Sequence, residues 1–391
     1  MSRKAFITFG APHIGPEDMR EVMATLRSGW LGTGPRTADF EARFSAYMGG
    51  REAVAVSSGT AALHLALMAS GVRPYDEVIT TPLTFAATAN AILAAGAVPR
   101  FADVDRTTQN IHIDCIRRAV TRRTRAIIPV HLAGRPCEMD GILALARRRK
   151  LTVIEDSSHA IEGLYRGRHT GSLGDFGCFS FTPNKNITTG DGGVVTVKRA
   201  GDARLIRMFA GQGMSANAWQ RFRGGRGTPD YRIMMPGFKY AMADLNASIG
   251  LNQLARIGKW WKRRRAIWDY YTDRFRDLPV FLPSAAVRGG RHALHLFTVH
   301  LDLARLKRGR DDIRRALAAR GIGTGIHYIS LHLHPYYRRR FGFVPSAFPN
   351  ALWISERTLS LPLSPHLTDA QTERVADAFR QVLLKSAKAG G

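Results

Sequence analysis

Acidic residues and cysteines are both scarce in this 391-residue chain: 31 Asp and Glu stand against 57 Lys and Arg, for a formal net charge of +26, and only three cysteines are present. Cys115, Cys137 and Cys178 cannot all pair and show no metal-ligand spacing, which argues against a disulfide scaffold or a thiolate metal centre. A reducing, cytoplasmic setting is the expectation. Long apolar runs are lacking too. The longest, around Ala86 to Val98, is too short and too interrupted to span a bilayer, and no cationic start followed by an apolar stretch marks a secretory leader, so no membrane insertion is expected. No internal repeat or low-complexity tract is visible before the tail of Lys, Ala and Gly. What remains is a globular chain, 45% hydrophobic, long enough for one large domain and a smaller one. The basic excess invites a nucleic-acid-binding reading. However, the runs Arg147 to Lys150, Lys262 to Arg265 and Arg338 to Arg340 lie far apart, and none is interleaved with stacking aromatics. The charge therefore reads as a solvated, arginine-rich surface, and no nucleic-acid partner is expected.

From Arg51 onward, short β-branched runs alternate with helical stretches rich in Ala and Leu. Strands are expected at Ala53 to Val56, Val78 to Thr81, Val98 to Phe101, Ala126 to Val130, Thr152 to Glu155, Phe176 to Phe181 and Val194 to Val197. Helices are expected at Pro16 to Ser28, Thr60 to Ala69, Ala86 to Ala95, Glu138 to Arg149 and Asp202 to Phe209. Near-continuous apolar strands between helices predict an α/β fold: a mostly parallel seven-stranded sheet covered on both faces. Pro229 to Gly237 reads as irregular, and Ala241 to Tyr271 as a long connecting helix. An extended segment, Leu294 to Leu301, and helices Arg310 to Arg320 and Asp369 to Leu384 then suggest a smaller α+β domain. The expected division is residues 1–250 and 251–391.

Three motifs carry chemistry. Lys185 lies in the loop Phe181 to Asn186, between an apolar strand and the turn Gly190-Asp191-Gly192-Gly193. An amine that must be unprotonated to attack an aldehyde is well placed at the end of a buried strand, where desolvation lowers its pKa, although most lysines are solvated surface charges. Ser57 to Ala62 has the character of a phosphate cradle: Gly59 lets backbone approach an anion, and the helix opening at Thr60 offers unpaired N–H groups. Val153 to Asp156 delivers carboxylates to a strand end. Glu155 and Asp156 point to opposite faces, so only one of them can address a given pocket, and spacing does not say which. His159, three residues on, could hydrogen-bond a cofactor oxygen. Lysine, anion cradle and buried acid together are the parts of a pyridoxal phosphate (PLP) site.

The stretches Ser58 to Leu63, Glu155 to Ala160, Cys178 to Phe181 followed by Lys185-Asn186, and Gly190 to Gly193 resemble the DegT/DnrJ/EryC1/StrS aminotransferases, PLP enzymes that aminate keto-sugars, usually as nucleotide-sugars. The similarity runs from about Phe9 to the last helix. It implies a type I PLP-dependent transferase fold and a homodimer with active sites at the subunit interface. By position, Lys185 matches the Schiff-base lysine, Asp156 the partner of the pyridinium nitrogen, and His159 the contact to the ring oxygen. Gly59, Thr60 and Ser180 match the phosphate binders, and Phe85 falls where the family stacks an aromatic ring on the cofactor.

Many members carry an asparagine that reaches the phosphate of the neighbouring subunit. Here that slot, within Pro236 to Met242, holds Lys239. Together with Gly321 to Tyr328 this looks like the branch that makes UDP-4-amino-4-deoxy-L-arabinose, and it implies substrate contacts at Asn186, His327 and Tyr328. Ala241 replaces a larger polar residue, and Ser157-Ser158 replaces the usual small apolar pair. The resemblance implies transfer of an amino group, with L-glutamate the expected donor, to a 4-keto nucleotide-sugar, whose charge a basic surface would attract. The products expected are amino sugars for cell-surface polysaccharide, lipid A or natural products. A sugar dehydratase of the same fold is the main rival, but it carries histidine where Lys185 stands.

Overall fold

The computed structural model describes residues 5–215, 219, 230–287 and 289–388. Seven strands form one sheet: β1 (Glu52–Val56), β2 (Glu77–Thr80), β3 (Val98–Phe101), β4 (Thr124–Ile127), β5 (Thr152–Asp156), β6 (Phe176–Ser180) and β7 (Gly193–Val197). Their order is β1-β7-β6-β5-β4-β2-β3. β3, β2, β4, β5 and β6 run parallel, and β7 is antiparallel to both its neighbours. The expected mostly parallel sheet is thus present. β4 ends at Ile127, before its apolar run does, because Pro129 has no N–H to offer a ladder.

Period-two alternation sorts the strand side chains onto two cores. On one face Val54, Val56, Ile154, Phe176, Cys178 and Val195 pack under helices Gly59–Ala69 and Ala200–Ala210. On the other, Ala53, Ala55, Phe179 and Val194 meet Phe40 and Phe44 from helix Pro35–Tyr47. That helix, along with Ile113–Ala119, Pro335–Phe341 and Pro349–Arg357, was not expected from periodicity. Three of the four begin with proline, whose missing N–H and preset φ suit a first helical turn, so their starts were readable.

Helix Asp244–Arg274 serves both parts of the molecule. Leu251, Leu254, Ile257 and Trp260 join the core of Phe40 and Phe179, whereas Ile267, Trp268 and Tyr271 join a second core with Phe297, Leu359, Leu361 and Phe379. The second core lies between helices Arg310–Ala318 and Asp369–Ser386 and an antiparallel sheet of β8 (Val280–Phe281), β9 (Phe297–Leu301) and β10 (Thr358–Leu361). β9 begins three residues later than the expected Leu294. There Leu294 adopts φ +53°, and its N–H donates to His292 Nδ1 at 2.9 Å, so His292 to Leu296 form a buried turn instead of strand. Of the irregular stretch Pro229 to Gly237, Pro229 lies outside the described residues. Among the described residues no group of side chains could hold a metal ion, and no helix is long and apolar enough to cross a membrane.

Several histidines are buried as neutral rings. Burial lowers the pKa of His300 and of His327 to about 4, the latter helped by Lys185, and pushes His159 and His295 well below the ordinary value. The unfolded chain takes up these protons below about pH 6.5 while the folded chain resists them, so stability should fall as pH drops from 6.5 towards 4. The expected slope is roughly 1 kcal/mol per pH unit for each such histidine, read from denaturant midpoints at stepped pH. A flat profile between pH 6.5 and 5 would show these rings to be charged in the folded protein.

Candidate active site

A cavity of about 360 Å³ opens beyond the carboxyl ends of β5 and β6, where open α/β sheets bind their ligands. Gly59, Thr60, Phe85, Asp156, His159, Ser180, Lys185, His327 and Tyr328 all line it. A larger groove of about 520 Å³ lies at the outer edge of β3 among Arg100, Phe101, Arg118 and Phe343, and contains none of the expected catalytic residues.

One wall is an anion cradle. Ser58 caps helix Gly59–Ala69, its hydroxyl accepting from Ala61 N–H at 3.0 Å, and the Gly59 and Thr60 N–H groups have no acceptor among the described residues. A Cβ on Gly59 would come within 2.7 Å of Ser180 Cβ, so only glycine lets the cradle close against Ser180. The unpaired N–H groups and the positive end of the helix suit a phosphate.

The opposite wall settles which acid faces the pocket. Asp156 is 5% exposed, and its carboxylate accepts from Thr88 Oγ1 at 2.8 Å and from Ser158 N–H at 3.2 Å. Glu155 points to the other face of the sheet. There it accepts from the N–H groups of Gly171 (2.8 Å), Leu173 (2.7 Å) and Gly174 (2.7 Å) and lies 3.0 Å from His131 Nε2. It therefore clamps the turn before β6. Glu155→Gln would set an N–H donor against these N–H donors and should cost about 2–4 kcal/mol. Urea titration checks this; an unchanged midpoint would contradict the clamp.

Lys185 enters from the loop after β6, held by a turn in which its N–H donates to Thr182 O at 3.0 Å. Desolvation lowers its amine to about 8, partly opposed by the negative charge of Asp156. About a tenth is thus unprotonated at pH 7, several hundredfold more than for an ordinary lysine, as a nucleophile or general base requires.

His159 Nδ1 accepts from Ala133 N–H at 3.3 Å, which puts the ring proton on Nε2, 3.2 Å from Tyr328 Oη. Burial and the nearby Lys185 keep the ring neutral, so it offers the cavity one fixed N–H. His327 Nδ1 pairs with Ser360 Oγ at 2.8 Å, and Phe85, 61% exposed, spreads its ring at the mouth, 6.2 Å from that of Tyr328.

Asn186, an expected substrate contact, lies behind the cavity. The Asn186 amide is buried and fully engaged: its Nδ2 donates to Glu162 Oε2 (2.6 Å) and Ala293 O (2.9 Å), and its Oδ1 lies 2.9 Å from His295 Nδ1. It shapes the loop behind Lys185 and does not line the cavity. Lys239, expected at the neighbouring subunit's phosphate, is exposed on a bridge to Gly211 and does not line this cavity. Sequence reasoning missed Thr88, which orients Asp156, and Thr84, whose hydroxyl is 2.9 Å from that of Thr88. Two threonines four apart opening an otherwise apolar helical stretch were the available signal. It also gave no role to Asp191, which lines the cavity from the glycine-rich turn it had singled out, and missed the buried pair Glu162 and Arg264, which nothing marked.

Residues 12–380 match the model of the DegT/DnrJ/EryC1/StrS aminotransferase family. The spore coat polysaccharide biosynthesis protein SpsC of Bacillus subtilis is 44% identical over 382 residues, 97% of this chain and 98% of its own length. Spr1654 from Streptococcus pneumoniae, described as a sugar aminotransferase and solved in its PMP-form, superposes with a TM-score of 0.90 at 32% identity, covering 97% of this chain and 99% of that one. The aminotransferase TlmJ from Streptoalloteichus hindustanus gives 0.88 at 33% identity, with 97% and 99% covered.

Proposed function

The chain belongs to the DegT/DnrJ/EryC1/StrS aminotransferase family of PLP-dependent sugar aminotransferases, and from that premise we propose that it moves an amino group from L-glutamate to a 4-keto nucleotide-sugar. One observation carries the reading: an amine with a lowered pKa and a hydrogen-bonded carboxylate face one cavity whose third wall is an anion cradle. These residues fit PLP. Gly59, Thr60 and Ser180 would hold its phosphate, Asp156 its ring nitrogen and His159 Nε2–H its ring oxygen, with Phe85 against the ring. When bound, PLP supplies an aldehyde for amines and a ring that accepts the electrons of an α-carbanion.

The protein's own share is proton management. Lys185 Nζ, unprotonated, takes the α-proton of the donor and later returns a proton to the cofactor carbon, so one group serves as base and then as acid. Asp156 supplies the negative charge that keeps the ring nitrogen protonated, and Thr88 and Ser158 hold that carboxylate in place. Neutral His159 donates without adding positive charge beside the amine. The walls, with Leu63 and Val130, restrict water around these steps.

Two half-reactions sharing one site imply ping-pong kinetics. Glutamate alone should release 2-oxoglutarate equal to the enzyme sites, and the loaded enzyme should then add an amine to its keto-sugar, seen by mass. No amine gain from any 4-keto nucleotide-sugar would redirect the assignment to another sugar class. His327 and Tyr328 are the proposed sugar contacts, and the stretch Gly321 to Tyr328 favours the UDP-4-amino-4-deoxy-L-arabinose branch. Amino sugars for cell-surface polysaccharide are a fitting product, in a cytoplasmic setting. The dehydratase alternative lacks support because Lys185 is present.

The proposed homodimer would place Lys239 at the neighbouring subunit's phosphate, consistent with its exposure here. Lys239→Glu should then cripple the enzyme. Mixing Lys185→Ala and Lys239→Glu subunits after partial unfolding should restore up to about a quarter of parental activity, since each mixed dimer holds one intact site. A mixture shown to contain mixed dimers yet remaining inactive would place Lys239 in its own subunit's site or outside any.

A further inference from the structure

His295 takes no part in the chemistry above. It is 5% exposed, on the buried turn before β9, and its ring lies 4.4 Å from that of His159, centre to centre. Its tautomer follows from its neighbours. Ala293 O can only accept a hydrogen bond, so the side of the Asn186 amide facing it, and Glu162, must be the NH2 group. Asn186 Oδ1 therefore faces His295 Nδ1 and accepts from it at 2.9 Å. The ring is neutral, held so by burial and by the nearby positive charge of Lys185. Neutral with its proton on Nδ1, the ring carries a lone pair on Nε2, and this buried atom has no partner among the described residues. An acceptor left without a donor costs free energy, and a mobile donor near enough for its charge to act on this ring is the amine of Lys185, the residue next to Asn186.

We propose that His295 is a further residue of the transamination machinery: a fixed neutral acceptor whose Nε2 receives a hydrogen bond from Lys185 while that amine carries the proton taken from the donor. The proton stays on Lys185 Nζ throughout and His295 gains none. The ring stabilises the ammonium in a desolvated site, and the Asn186 contact prevents it from turning to present an N–H instead. The same bond draws the loop of Lys185 and the turn of His295 together. The groups that set the charge on Lys185 are then Asp156, His159, His327 and His295. The proposal rests on Lys185 being the reactive amine, and its test works without cofactor or sugar, so that failure of the proposed reaction and failure of this inference are separable.

The test is the pH dependence of Lys185 acylation in cofactor-free full-length protein, followed by peptide mass. In the parent the midpoint should lie near 8. His295→Phe keeps a ring of similar size but removes the acceptor, so the midpoint should drop by about one unit and labelling at pH 6 should quicken roughly tenfold. His295→Gln carries an acceptor oxygen about as far from the backbone as Nε2 and should recover most of that shift. In the loaded enzyme His295→Phe should lower kcat and leave the KM for the sugar little changed. A folded His295→Phe protein with the parental midpoint overturns the proposal, as does a Gln variant that behaves like Phe. Histidine ¹⁵N spectra of the parent decide independently of any variant: an Nδ1–H neutral ring at residue 295 is expected, and an Nε2–H or cationic ring overturns it.

Discussion

Lys185→Ala should lower turnover by roughly 10⁴-fold or more, because one change removes both the nucleophile and the group that shuttles the proton. Stability should hold or rise. The amine's pKa is depressed from 10.5 to about 8 on folding, so at pH 7 the folded protein carries its proton at a cost that the unfolded chain does not pay. Removing the side chain removes that cost, and its aliphatic stem lines a cavity, so little core packing is lost. Steady-state rates and a thermal melt together check this. A variant that loses activity only by unfolding would mean that Lys185 is structural.

Asp156→Asn should be the next most damaging change, lowering kcat by about a thousandfold with an unaltered fold. The shape is conserved, and an amide oxygen can still accept from Thr88 or Ser158, but the negative charge is gone. Without it the ring nitrogen loses its proton and the carbanion its electron sink. The visible spectrum of the bound cofactor should change as well. Parental activity in this variant would hand the role to another acid, although the most obvious substitute, Glu155, is held by three N–H groups and His131 on the far face of the sheet.

The contrast between these two neighbours shows what was legible in the sequence. Strand alternation says that Glu155 and Asp156 face opposite ways, but which way depends on the turn Gly171 to Gly174 folding back across the sheet, a tertiary fact with no local signal. Lys185, Gly59 and His159 were legible because each sits beside a glycine-rich turn or a strand end, where backbone geometry restricts the residue choice. Asn186 was expected at the substrate because its adjacency to Lys185 was visible, while the partners that engage its amide, Glu162, Ala293 and His295, are distant in sequence and were not. The seven strands could be placed because strands of a sheet covered on both faces are nearly all apolar. The short helices Ile113–Ala119 and Pro335–Phe341 carry only two turns of pattern each, too few for periodicity to stand out from the surrounding loop.

The central claim is that Lys185 is the residue that carries the cofactor. Reduction of the PLP-loaded protein with borohydride, digestion and peptide mass mapping test it in one experiment. The account predicts a single stable adduct of the cofactor's mass on the peptide containing Lys185, absent from Lys185→Ala and absent when glutamate has first converted the enzyme to its amine-loaded form. An adduct on any other lysine, Lys239 included, or one that persists in Lys185→Ala, would contradict it.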